Sequence, residues 1–126
     1  MTEALSGFLL AGAGGFLGAG LRYLVGWFSA LAGGSCSHIW ATFAVNMLGS
    51  FCIGLLSPFW ISPRHPMRIF VLVGVLGGFT TFSSFSADTL HLLQSGRWGW
   101  ALAYAVGSVV LGLLAAGGGF ALHSYM

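Results

Sequence analysis

A chain of 126 residues that is 57% hydrophobic and 5% charged, with a net charge of +2 and 21 glycines, lacks the share of about a quarter charged residues that a water-soluble surface needs. Its few charges are the arginines Arg22, Arg64, Arg68 and Arg97 and the acids Glu3 and Asp88; scattered in this way, they exclude a phosphate-neutralising basic patch and with it a nucleic-acid partner. The solvent is a lipid bilayer, and at about 20 apolar residues per spanning helix the length holds about four helices and no separate catalytic domain.

In chain order, the apolar runs predict spanning helices over 4–28, 39–60, 67–93 and 98–122. The first resembles a signal peptide at Ala11-Gly12-Ala13, but its only early charge is Glu3 and it stays apolar well past that point, so it reads as a retained helix. The connections are short: 29–38 is small and polar, 61–66 carries Pro63 and Pro66, and 94–97 reads as a turn. Trp27, Trp40, Trp60, Trp98 and Trp100 fall near the predicted ends, where indole prefers the headgroup layer. Cys36 and Cys52 form neither a disulfide framework nor a metal motif; Cys52 reads as a packing residue.

Orientation is weakly specified. With the N-terminus cytoplasmic, Arg64 and Arg68 lie inside and Arg97 outside, a bias of a single charge, and the positive-inside rule acts through such bias. The expectation is dual topology, with two copies pairing antiparallel. Gly14-x-x-x-Gly18, Ser50-x-x-x-Gly54 and Gly74-x-x-x-Gly78 are small-residue pairs that let backbones approach closely in lipid.

The polar residues fall into two groups. On the second helix Thr42, Asn46 and Ser50 follow at four-residue spacing and share a face. In the third, Gly77-Gly78-Phe79-Thr80-Thr81-Phe82-Ser83-Ser84-Phe85-Ser86 makes a poor helix, because adjacent glycines cost about 1 kcal/mol each and the threonines are β-branched. A break is expected there, at Gly77-Gly78. Broken backbone at membrane depth must be buried in protein or face a cavity, and a glycine-kinked helix whose hydroxyls bond back to their own chain is the alternative. Phe82 and Phe85 share a face and offer positive ring edges. With the Asn46 amide and the hydroxyls of Thr42, Ser83 and Ser84, they can solvate an anion without a full positive charge that would trap it.

Arg22 and Asp88 are the charges within apolar stretches and are functional candidates by default. Arg22 is placed to snorkel to an interface, or to line an aqueous vestibule and raise the local anion concentration. Asp88 shares a helical face with Phe85 and His91; Asp88 and His91 alone are too few ligands for a metal. His38, His65 and His123 fall at helix ends or in connections.

Gly18-Ala19-Gly20-Leu21-Arg22-Tyr23, Thr42-Phe43-Ala44-Val45-Asn46-Met47-Leu48-Gly49 and the third-helix run Gly77 to Ala87 resemble the CrcB/Fluc fluoride channels of bacteria, over nearly the whole chain. The resemblance implies an all-α protein of the bacterial inner membrane, with four transmembrane helices and a break in the third, assembled as an antiparallel, dual-topology homodimer. It implies two fluoride pathways at the dimer interface, with Asn46 at the vestibule end, Phe82 and Phe85 along the path, and hydroxyls from Thr42 and Ser83 or Ser84. It also implies a structural sodium ion at the dimer centre, held by the Gly77 and Thr80 carbonyls. A hydroxyl track on the fourth helix is matched by Tyr104 and Ser108 but not continued by Gly112 and Ala116. Asp88 stands where the family usually has Glu, and Ser83-Ser84 where Ser-Thr is common. A small dual-topology multidrug exporter is the alternative, but its chemistry needs a carboxylate in the middle of the first helix, where this chain has none. Nothing pairs a nucleophile with a base, so the expectation is a transport protein, not an enzyme.

Overall fold

In lipid an unpaired backbone amide or carbonyl costs several kcal/mol, more than the roughly 1 kcal/mol by which glycine disfavours a helix. Glycine-rich apolar runs therefore wind into helices here, including the Gly117-Gly118-Gly119 run. The computed structural model describes residues 2–34 and 36–126, and these are helical throughout apart from short connections. Helix α1 is Thr2–Ala32 and α2 is Ser37–Leu56, extended by a 3₁₀ turn over Ser57–Phe59 at Pro58. Helix α3 is Arg68–Leu76 plus the single turn Gly77–Phe79, α4 is Phe82–Gln94 and α5 is Trp98–His123. Four segments are long and apolar enough to cross a membrane: Thr2–Ala32, Ser37–Phe59, Arg68–Gln94 and Trp98–His123. Of the connection expected over 29–38, the part up to Ala32 is helical, and Ser35 lies outside the described residues.

Gly96 ends α4. At φ +72° it adopts the left-handed conformation open to glycine, so that Gly96 N–H bonds the Leu93 carbonyl at 3.0 Å and Arg97 N–H the Leu92 carbonyl at 2.9 Å. This is a Schellman closure, and it turns the chain sharply into α5.

Two glycine seams hold the helices together. Helix α1 buries only Gly14 and Gly18, and it lies against α3 so closely that a Cβ on Gly14 would meet the Phe70 carbonyl and one on Gly18 the Val75 carbonyl. From the other side, a Cβ on Gly74 would sit 2.8 Å from Gly14 Cα, and one on Gly78 2.6 Å from the Gly15 carbonyl oxygen. The second seam joins α2 to α5, where Gly54 faces the Ala116 carbonyl and Gly119 the Phe51 carbonyl. The small-residue pairs read from the sequence are thus spent on contacts inside one chain.

Large apolar side chains point outward, among them Phe16 at 81% and Phe8 at 73% exposure, as a lipid-facing surface requires. A small cluster of Ile39, Leu92 and Ala101 closes the bundle at the end where α4 turns into α5.

Residues Arg68–Leu76 are wound as a π-helix. Such winding is uncommon and is favoured where a site needs a helix of altered register. It delivers Gly77 N–H to the carbonyls of both Gly74 and Leu72, immediately before the helix ends.

Candidate functional site

The third membrane segment leaves helical geometry at Thr80 (φ −79°, ψ 159°) and Thr81 (φ −151°, ψ 117°). Gly77 and Gly78, where the sequence places the break, are helical. The physical reason is packing: Gly78 is pressed on the Gly15 backbone of α1, which fixes it in the helix, whereas the two threonines find other partners.

Those partners come mainly from α2. The Asn46 amide embraces both backbone groups of Thr81: Thr81 N–H donates to Asn46 Oδ1 at 2.8 Å, and Asn46 Nδ2 donates to the Thr81 carbonyl at 3.0 Å. One helical turn further along α2, Gly49 leaves room for Thr80, whose Cγ2 occupies the place a Cβ on Gly49 would take. Thr80 keeps its hold on the preceding turn through its N–H at 3.0 Å and its hydroxyl at 2.9 Å, both on the Leu76 carbonyl. Thr81 then caps α4. Its Oγ1 accepts from Ser84 N–H at 3.1 Å, donates to Ser84 Oγ at 3.1 Å and lies 3.2 Å from Ser83 Oγ. A hydroxyl at a helix N-cap serves in this way.

The clamp has a consequence for Gly77. In a continuous helix its carbonyl would accept from the N–H of Thr81, four residues on, and that N–H is committed to Asn46. The Gly77 carbonyl is released for another partner.

Around this junction the expected site residues divide between concavities. Asn46, Ser50, Gly77, Thr80, Thr81, Phe82, Phe85 and Ser108 line one open groove of about 330 Å³. Phe82 is 79% exposed in the protomer, with its ring centroid 5.6 Å from that of Phe85, which in turn lies 5.4 Å from Tyr104. Ser108 Oγ is enclosed and has no hydrogen-bond partner among the described residues. Arg22, Thr42 and Ser84 line a second cleft with Tyr23, His38 and Thr81. Arg22 therefore points at a polar cleft reaching the junction, and Thr81 borders both spaces. Tyr104 and Ser108 also line a third cavity that runs to Cys36 and Arg97.

Asp88 is buried, and its Oδ2 accepts from the Tyr104 hydroxyl at 3.4 Å while its Oδ1 lies 3.6 Å from His38 Nε2. Thr81, Gly49 and His38, which the sequence places in the third-segment run, in the second-helix motif and at a helix end, are not among its candidate site residues. Thr81 carries the one available signal, a hydroxyl residue immediately ahead of a helical run. For Gly49 and His38 only the packing of α2 on the third segment reveals a part.

Comparison with known proteins gives the family. The family model described as CrcB-like protein, Camphor Resistance (CrcB), matches residues 9–120. The fluoride-specific ion channel FluC of Rhizobium meliloti (strain 1021) is 49% identical over 124 residues, covering 94% of this chain and 96% of the relative. FluC of Elusimicrobium minutum (strain Pei191) is 48% identical over 119 residues, 92% of each chain. A FluC of Thermus thermophilus is 49% identical over 118 residues, 91% of each chain. A helical chain with four segments long and apolar enough to span a membrane, matched over nearly all of its length in this way, belongs to the CrcB family.

Proposed function

We propose that this chain is a fluoride-selective channel that lets fluoride leave the bacterial cytoplasm passively through the inner membrane, and that it works as an antiparallel, dual-topology homodimer. The observation that carries the reading is the exposed groove lined by Asn46, Phe82, Phe85 and Ser108, where the enclosed Ser108 hydroxyl has no partner among the described residues. These groups are weak donors, and the groove is open on one side, as a half-pathway awaiting a second copy would be. The names of the relatives supply the ion.

In this mechanism Arg22 raises the anion concentration in the vestibule, and Thr42, Ser83 and Ser84 replace water around the entering ion. Asn46 passes it to the edges of Phe82 and Phe85, and Tyr104 and Ser108 continue the track. No ammonium stands in the path, so the ion is not trapped. Each chain contributes a face to each of the two pathways at the dimer interface. The released Gly77 carbonyl and the neighbouring Thr80 carbonyl are donors of the kind a structural sodium ion takes, and a second copy would complete the cage. Bound there, the cation would neutralise carbonyl dipoles that the interrupted helix leaves unpaired.

The exporter alternative needs a carboxylate within the first helix, and in α1 the only acid is Glu3, in its first turn. Fluoride efflux from liposomes holding the purified protein, with chloride as the comparison ion, is the test. Rapid fluoride release without chloride release is expected; no fluoride release, or release unaffected by removing Asn46 together with both phenylalanines, refutes the channel reading. Labelling of a terminal tag from one membrane face only would refute dual topology.

A further inference from the structure

We propose that His38 sets the charge balance of the buried carboxylate beside the pathway, so that fluoride conduction rises as pH falls through the range in which imidazole takes up a proton; the inference rests on the channel reading above. Asp88 is 8% exposed and is the one acid within the membrane-spanning body, Glu3 being in the first turn of α1. One carboxylate oxygen meets the Tyr104 hydroxyl at 3.4 Å and the other meets His38 Nε2 at 3.6 Å. The Tyr104 ring lies against Phe85 at 5.4 Å, so the carboxylate joins an exposed imidazole to the aromatic wall of the groove. His38 itself lines the cleft that holds Arg22, Thr42 and Ser84. The carboxylate is thus linked through His38 to one concavity and through Tyr104 and Phe85 to the other.

Histidine is the side chain whose charge changes between about pH 5 and 8. Protonated His38 and Asp88 form a pair of zero net charge. Neutral His38 leaves the carboxylate unbalanced, and its field opposes an anion in either cleft. The other titratable and charged groups facing the pair are Arg22 and Tyr23 of α1, which line the same cleft, His91 of α4, whose ring centroid is 6.1 Å from that of His38, and Tyr104 of α5. Arg97, just before α5, is held on Cys36 Sγ at 3.3 Å and over the Trp100 ring. Arginine stays charged across this range, so Arg22 and Arg97 add a constant field.

The test is fluoride efflux from liposomes at matched internal and external pH, stepped from about 5 to 8, with protein-free liposomes subtracting leakage of the neutral acid. The wild-type rate is expected to rise about three- to tenfold toward the acid end, the effect of one nearby unit charge after screening. His38→Gln, or His38→Asn where the first does not reconstitute, is expected to run at the wild-type alkaline rate at every pH, and His91→Gln to keep the wild-type profile. A wild-type rate independent of pH overturns the proposal, as does an unchanged profile in the His38 variant or a monodisperse His38 variant silent at all pH. A wild-type protein that releases no fluoride at any pH refutes the channel reading instead.

Discussion

Alanine at position 49 puts a methyl group where the Thr80 methyl already sits. A Cβ on Gly49 would overlap Thr80 Cγ2 while standing at ordinary contact distance from Thr80 Cβ, 3.6 Å, and from Phe79 Cδ1, 3.7 Å. The conflict concerns that one methyl group. Thr80 can relieve it by rotating, but rotation gives up the bond of 2.9 Å from its hydroxyl to the Leu76 carbonyl, worth about 1 kcal/mol. If it does not rotate, the crowding costs about 1–3 kcal/mol, the usual range for an overpacked site. Alanine also gains about 1 kcal/mol over glycine within a helix, so the single variant's net loss is modest and ambiguous by itself. The double-mutant cycle removes that ambiguity, because helix propensity at position 49 cancels between the threonine and serine backgrounds at position 80. Serine keeps the hydroxyl and lacks the methyl. Unfolding free energies of wild type, Gly49→Ala, Thr80→Ser and the double variant, from denaturant titration in micelles, should show a coupling of about 1–3 kcal/mol. Fluoride flux, lowered by Gly49→Ala alone, should recover in the double variant. A coupling below about 0.5 kcal/mol refutes the contact and the claim that Gly49 sets the path of Thr80.

Asn46→Ala strips the buried Thr81 of partners for both backbone groups and should cost about 2–3 kcal/mol by the same titration, the low end for two such groups because water reaches the open groove. Asn46→Asp keeps the acceptor but turns a carboxylate oxygen on the Thr81 carbonyl, and should unfold no later than the alanine variant; wild-type stability in either contradicts the clamp. Gly18→Ala drives a methyl into the Val75 carbonyl, while a Cβ at Gly20 meets open space. The first should lose about 1–3 kcal/mol and the second should gain up to about 1 kcal/mol in thermal or denaturant unfolding, and equal effects would deny the α1–α3 seam. Phe82→Ala removes a ring that is 79% exposed in the protomer, so micellar unfolding under conditions that separate copies should hardly move while fluoride efflux falls by at least about tenfold, about 1.4 kcal/mol in barrier terms; unchanged efflux would take Phe82 out of the path.

The four spans are legible in sequence because lipid demands a long apolar run for each, and the turn at 94–97 because Gly96 supplies the left-handed residue a helix stop needs. The end of α1 is not legible: residues 29–32 are small and partly polar, which suits a loop as well as a last helical turn. The non-helical step is expected at the glycines, since intrinsic propensity places it there, and lies at Thr80-Thr81. Propensity sees what a residue costs in a helix. It does not see that α1 holds Gly78 in place, or that Asn46 offers Thr81 two hydrogen bonds outside the helix. The π winding of Arg68–Leu76 escapes for a similar reason, because the periodicity of an apolar run is too coarse to separate windings. Of the polar residues, Asn46, Phe82, Phe85 and Ser108 meet in one groove, while Thr42, Ser84 and Arg22 open on another cleft. Spacing along a helix gives a shared face, but which neighbour that face meets is decided by packing between helices.

Hydrogen bonding inside the protomer narrows which donors remain for an anion. The Thr80 hydroxyl is spent on the Leu76 carbonyl and the Thr81 hydroxyl on Ser84, so neither solvates a passing ion without giving up a bond that shapes the junction. Ser84 Oγ accepts from Thr81, so its own proton is not used in that bond, and Ser84 lines the Arg22 cleft. An amide nitrogen carries two hydrogens, and Asn46 has committed one to the Thr81 carbonyl. Ser108 Oγ has no partner among the described residues. The residues that keep an uncommitted hydrogen thus lie on both sides of Thr81: Ser84 lines the Arg22 cleft, and Asn46 lines the groove of Phe82 and Phe85. On the channel reading, the interrupted segment does two things at once. It consumes the polar groups that would otherwise be stranded in lipid, and it leaves a short series of uncommitted donors on either side of a single residue, where a strongly hydrated anion must exchange water for protein.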